Sequence, residues 1–230
     1  MKVEILFPEF CNLFGDMYNM KYLKMCIPDV EFVETALDQE PEFVKDDVNL
    51  IYLGPMTENT QEKVIKKLLP YKSRIEELIE KNVIFLFTGN AVEIMGEYIE
   101  NEDGSKIEGL GIFNVYSKRD MMHRHNSYFV GIYEDIEILG FKSQFTMMYG
   151  DNSNMFFANV EKGIGINKGS NLEGIKKNNF IGTYIIGPIL ILNPLFTKKI
   201  LKMMGLEDNI YLEKDTIEAY NQRLKELKNL

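Results

Sequence analysis

The chain has 230 residues, 45% of them hydrophobic, with 26 Lys and Arg against 35 Asp and Glu for a formal net charge of -9. That length and apolar content suffice for a sizeable core. The acidic balance argues against a nucleic-acid surface or an anionic-membrane binder, since both need clustered Lys and Arg.

The opening MKVEILFPEF holds an acidic residue and a proline in its short apolar run, so it reads as a strand, VEILF, and not as a signal peptide or membrane span. Gly15 through Met25 carries a first helix, VEFVETAL a second strand, and VNLIYLG a buried third strand that ends in turn residues. From Glu58 to Lys81 the spacing is helical, with Pro70 expected to split it into two pieces. VIFLF is a fourth strand, continuously apolar as a parallel strand covered on both faces should be. After the turn Thr88-Gly89-Asn90, AVEIMGEYI is expected to leave as a helix.

Beyond Gly104 the pattern shifts to short, glycine-punctuated strands: IEGLGIFNVY, SYFVGIY, IEILGFKSQFTMMYG and MFFANV. These suggest an antiparallel extension or flap. IGTYIIGPILILNP adds a last strand-like piece, and PLFTKKILKMMG and DTIEAYNQRLKELKNL close as amphipathic helices. The expected fold is α/β, a doubly wound and mostly parallel sheet with an antiparallel extension, its ligand sites at the carboxyl ends of the strands. No repeat or linker divides residues 1–230, which read as one domain.

A strand, sharp turn and helix make a nucleophile elbow, which exposes one side chain at the sheet edge and needs Ser or Cys there. Here the candidates are Thr88 and Gly89. A threonine needs an adjacent base to attack at neutral pH, and the plainer role for Thr88 is to cap the following helix. Cys11 and Cys26 flank the first helix, too few for a disulfide framework and without zinc-ligand spacing. They read as isolated thiols of a reducing cytoplasm. His123 and His125, two apart on an expected strand, would share a face, but two ligands make no metal site. Asp46-Asp47 reads as a solvated turn, YGDNSNMFF as a hairpin turn and KGIGINKG as a hairpin. No cofactor or metal is expected.

Several strings resemble the class I glutamine amidotransferases, in the branch containing cobyric acid synthase and the glutaminase subunit of lipid II isoglutaminyl synthase. They are NLFGDMYNMKYLK, VNLIYLGPMTENTQ, FLFTGNAVEIMG, EGLGIFNV, GFKSQFT, VEKGIGINKG and IGTYIIGPILILNP, in the family's order over about Phe7 to Pro194. The resemblance implies a flavodoxin-like amidotransferase fold. It also implies a cysteine on the elbow, a histidine base in the Gly-Thr-Tyr string and an oxyanion hole in a glycine-rich loop. This sequence departs from all three. The cysteine falls on Gly89 when aligned from Glu93, or on Thr88 when aligned from the strand. The histidine falls on Ile186, and the loop reads Gly54-Pro55-Met56, where proline has no N–H to donate. Gln144 stands near another family histidine.

The leading expectation is a catalytically degenerate relative that binds or scaffolds a Mur-ligase-like, ATP-dependent amidating subunit, the partner implied by the resemblance, in cell-wall or cobyric-acid-type amidation. Its pocket, bounded by Gly54, Asn90, Glu93 and Gln144, would take a small amine or amide, because the Glu93 carboxylate favours a cationic or amine-bearing ligand. The alternative is an amidotransferase or hydrolase that uses Thr88 or a histidine of the 123–125 region on another substrate. A third reading has a neighbouring protein supply a cysteine or histidine in trans.

Overall fold

The computed structural model describes all 230 residues. Strands run β1 (Lys2–Leu6), β2 (Glu31–Thr35), β3 (Leu50–Leu53), β4 (Ile84–Thr88), β5 (Tyr98–Glu100), β6 (Lys106–Glu108) and β7 (Val115–Arg119). They continue as β8 (His125–Tyr133), β9 (Ile136–Gln144), β10 (Thr146–Gly150), β11 (Ala158–Lys162), β12 (Leu172–Glu173), β13 (Ile175–Lys177) and β14 (Phe180–Thr183). The helices are α1 (Tyr18–Cys26), α2 (Glu42–Lys45), α3 (Glu58–Leu68), α4 (Lys72–Glu80), α5 (Ile189–Leu192), α6 (Pro194–Met203) and α7 (Glu213–Asn229).

The main sheet has the order β13-β14-β4-β3-β1-β2, parallel throughout except where β13 runs against β14. Every residue of β3 and β4 is buried. Their side chains alternate between two cores: Ile51, Leu53, Phe85 and Phe87 lie in one, and Leu50, Tyr52, Ile84 and Leu86 in the other. A strand coated on both faces cannot show a polar alternation, which is why these runs are uniformly apolar. Thr57 caps α3, its hydroxyl accepting from the Thr60 amide at 3.3 Å, and the chain breaks at a short 3-10 turn containing Pro70 before α4. Two four-stranded sheets, β10-β7-β5-β6 and β12-β11-β8-β9, form the extension, antiparallel apart from the β5–β7 pair.

Three local expectations are corrected. AVEIMGEYI is not a helix: Gly89–Met95 is a 3-10 segment, and β5 begins at Tyr98. The carbonyls of Ile94 and Met95 are taken by the amides of Leu110, Ile112 and Phe113, so they cannot feed an onward α-helical ladder. YGDNSNMFF does not close a hairpin, because β10 pairs with β7 while β11 pairs with β8 and β12. It carries the chain between two sheets, with the buried Asn152 amide donating to the Gly174 carbonyl at 3.0 Å. KGIGINKG does lie in the loop joining the antiparallel pair β11 and β12. His123 precedes β8 and does not share its face with His125. The ring of His123 bonds to Asp120 at 2.8 Å and that of His125 to Ser127 at 3.0 Å.

Candidate functional site

Four loops meet at the carboxyl ends of β1, β3, β4 and β14, where a parallel sheet places its ligand sites. Gly89 has φ +58, the left-handed conformation an elbow residue must adopt, whereas Thr88 is extended. Gly89 is therefore the residue at the bend. A β-carbon on Gly89 would lie 2.6 Å from the Pro55 Cβ and 3.4 Å from the Ile186 Cγ2. Gly89, Pro55 and Ile186, the positions singled out in the sequence by the resemblance, thus converge on one point and fill it with hydrocarbon.

The loop after β3 is clamped in place. The Met56 amide donates to Asn90 Oδ1 at 3.0 Å, Asn90 Nδ2 donates to the Met56 carbonyl at 2.8 Å, and the Leu13 amide donates to the Pro55 carbonyl at 3.1 Å. Pro55 has no amide hydrogen and that of Met56 is engaged, so neither is free to stabilise an oxyanion. Ile186 is held by a bridge to Phe141, their amides and carbonyls paired at 2.9 and 3.3 Å.

Thr88 does not cap the segment that follows. It is fully buried, and its hydroxyl donates to Asp16 Oδ2, which also accepts from Tyr52 Oη at 2.7 Å. Burial pushes the Asp16 carboxyl up, against the pull of the Thr88 and Tyr52 hydroxyls, and its Oδ1 has no partner. Cys11 is packed against the loop of β3, with its Sγ 3.8 Å from Met56 Sδ, and burial raises its thiol far above the reactive range. Cys26 is partly buried and lies away from the elbow, where it accepts from the Tyr211 amide at 3.3 Å.

Beside the elbow lies a cavity of about 310 Å³ whose wall includes Pro55, Gly89, Asn90, Glu93, Gln144 and Tyr184. Gly54 and Thr88 are not on it. Gly54 instead lets the Cys11 carbonyl approach so closely that a β-carbon would collide with it. Glu93 is buried, with Oε1 accepting from Tyr184 Oη at 3.0 Å and Oε2 from Gln61 Nε2 at 2.8 Å. Burial pushes its carboxyl up to about 7. Gln61 is steered by Arg119, whose guanidinium donates to Gln61 Oε1 at 2.9 Å, to Asn101 at 3.0 Å and to Glu62 at 3.2 Å. Asp16, Gln61, Arg119 and Tyr184 were not singled out from the sequence. Three of them lay within the family-like strings, Asp16 in NLFGDMYNMKYLK, Gln61 at the end of VNLIYLGPMTENTQ and Tyr184 in the Gly-Thr-Tyr string, whereas Arg119 carried no signal.

No group of three or more His, Cys, Asp and Glu side chains assembles into a metal-ligating set, and no helix is long and apolar enough to cross a membrane.

A parallel sheet in the order 2-1-3-4 with a tight elbow after its fourth strand defines a flavodoxin-like, doubly wound α/β protein. The chain belongs to the CobB/CobQ-like glutamine amidotransferase domain family, which it matches over residues 2–192. It is similar to the lipid II isoglutaminyl synthase (glutamine-hydrolyzing) subunit GatD of Staphylococcus aureus strain N315, 24% identical over 193 residues, covering 83% of this chain and 79% of that protein. The subunit of the same name from Streptococcus pneumoniae R6 is 23% identical over 204 residues, covering 84% and 76%. Among solved structures, a glutamine amidotransferase superposes with TM-score 0.59 at 12% identity, covering 89% of this chain and 99% of the other. A glutamine amidotransferase of Thermotoga maritima gives 0.54 at 13%, covering 99% and 85%. At these identities the two structures speak for the fold.

Proposed function

We propose that the chain is a catalytically degenerate amidotransferase-like subunit that binds and scaffolds a Mur-ligase-like, ATP-dependent amidating partner in cell-wall or cobyric-acid-type amidation in the cytoplasm. The observation that carries this reading is the elbow itself. The bend residue is Gly89, with no nucleophilic atom. Pro55 occupies the space a nucleophile's side chain would need, and Ile186 can neither accept nor deliver a proton. The cavity beside it persists as a place for a small amine or amide. A hydrolase reading that uses Thr88 loses support, since that hydroxyl is buried against Asp16 and off the cavity.

The test is glutamate release from glutamine by the purified chain, alone and co-expressed with a Mur-ligase-like partner, with a Thr88→Ala control. The expected result is no release above buffer in any sample, co-elution with the partner, and ATP-dependent amidation by the pair that runs on ammonium but not on glutamine. Glutamate release above buffer would overturn the proposal, and its loss in a control that remains folded would make Thr88 the nucleophile.

A further inference from the structure

The wall of the elbow cavity presents acceptors whose capacity is not used up. Each oxygen of Glu93 holds one donor, while a carboxylate offers about four lone-pair sites. Gln144 lines the same cavity and is 7% exposed. Its Nε2 is committed to the Thr146 carbonyl at 2.7 Å and its Oε1 has no partner. Glu58 adds a second carboxylate to the wall. The donors of Asn90 and Met56, by contrast, are spent on each other. Arg124 is an exposed wall residue, its guanidinium 4.3 Å from the centre of the Phe145 ring.

A buried acceptor without a donor carries a desolvation cost that a donor-bearing ligand relieves. We propose that this cavity binds a small primary ammonium ion, R–NH3+, with the Glu93 carboxylate as counter-ion and Gln144 Oε1 as a second acceptor. The inference rests on the reading of the site as non-catalytic and adds the class of ligand it takes. The three N–H groups of an ammonium can be shared between two acceptors, and Leu13, Met56 and Phe145 line the same cavity beside a short alkyl chain.

The charged and titratable groups around Glu93 are Glu58 and Glu62 on α3, Arg119 on β7, Arg124 in the β7–β8 loop and Tyr184 after β14. A bound cation favours the ionised carboxyl. Binding should therefore tighten as pH rises through the titration of Glu93 and release a proton below it.

The experiment is calorimetry of the whole chain with n-propylammonium chloride, against propionamide and sodium propionate, at about pH 6 and about pH 8 in buffers of different ionisation enthalpy. The expected result is saturable binding of the amine alone, tighter at the higher pH. At the lower pH the heat should depend on the buffer. Glu93→Gln should weaken binding by about tenfold or more, and Gln144→Met should weaken it by a smaller factor. No binding of the amine, equal binding of propionamide, preference for propionate, or an undiminished affinity in both variants would overturn the proposal. Glutamate release measured on the same samples separates the two readings: release without amine binding sinks both, and neither release nor amine binding sinks only this one.

Discussion

Pro55 stands 2.6 Å from the point where a β-carbon on Gly89 would be, closer than two carbons can sit. The strand-elbow geometry is therefore present while the volume a side chain at its bend would need is occupied by a ring. A thiol cannot be accommodated at this bend by one substitution. Gly89→Cys should destabilise the chain by about 1–3 kcal/mol, from the positive φ together with the Pro55 overlap, and release no glutamate. Gly89→Cys with Pro55→Gly should recover part of that loss. Counting thiols that react with Ellman's reagent in the native state checks the geometry: the double variant should gain a reactive thiol over the parent. Equal stability of the single and double variants would refute the steric account.

The network at Glu93 predicts a pH signature. Its carboxyl rises from 4.5 in the unfolded chain to about 7 in the folded one, chiefly because burial penalises the charge. Between these values the folded state holds the proton more tightly than the unfolded state. The stabilising contribution is thus complete below about pH 4.5 and is lost as pH rises through about 7, by roughly 3 kcal/mol in the limit. Glu93→Gln removes the titration and keeps the shape. The difference in unfolding free energy between variant and parent, followed by urea denaturation, should shift in the variant's favour across that window and be flat above it.

Much of the framework was legible in the sequence because it follows from local rules. β3 and β4 are uninterrupted apolar runs since both faces are covered, and Pro70 divides α3 from α4 because it cannot continue the ladder. The element after the elbow was not legible. Ala91 through Met95 is buried on every side, so its periodicity carries no direction, and what ends it is the capture of its carbonyls by residues 110–113. The site splits the same way. The strings align Thr88 or Gly89, Ile186 and Pro55 with the working parts that the resemblance implies, and only the backbone decides between Thr88 and Gly89. The meeting of Gly89, Ile186 and Pro55 at one point could not be read from the strings, nor could the pairing of Asp16 with Thr88 across 72 residues of chain. Long-range partners of single polar side chains leave no periodic trace.

That pairing predicts a structural role for Thr88. Its hydroxyl is one of two side-chain donors to a carboxyl whose other oxygen is already unpartnered. Thr88→Val keeps the volume and removes the donor, so it should cost about 1–3 kcal/mol of stability, while Thr88→Ser should retain most of it. Burial already raises the Asp16 carboxyl, and losing the Thr88 bond raises it further. The penalty for Thr88→Val should therefore shrink at acid pH, where Asp16 is neutral in either variant, and grow toward alkaline pH. Chemical denaturation across pH measures this. A penalty independent of pH would separate Thr88 from Asp16.

Lys142 and Glu173 form an ion pair with neither side chain exposed. Lys142 also donates to the carbonyls of Ile164 and Gly165 at 2.9 and 2.8 Å, and Glu173 accepts from the Thr183 hydroxyl at 2.9 Å and the Tyr184 amide at 2.8 Å. The pair thereby ties β9 and β12 to the residue that holds Glu93 from above. Breaking a buried pair strands one charge, so Lys142→Met should cost about 3–5 kcal/mol. Adding Glu173→Gln removes the stranded charge but keeps an acceptor for Tyr184. The double variant should therefore be more stable than Lys142→Met alone, a coupling that a double-mutant cycle measures directly. If Tyr184 is positioned through this pair, Lys142→Met should also move the pH window of the Glu93 titration, whereas the double variant should leave it near that of the parent. Strictly additive effects with an unmoved window would show that the pair serves only the outer sheet.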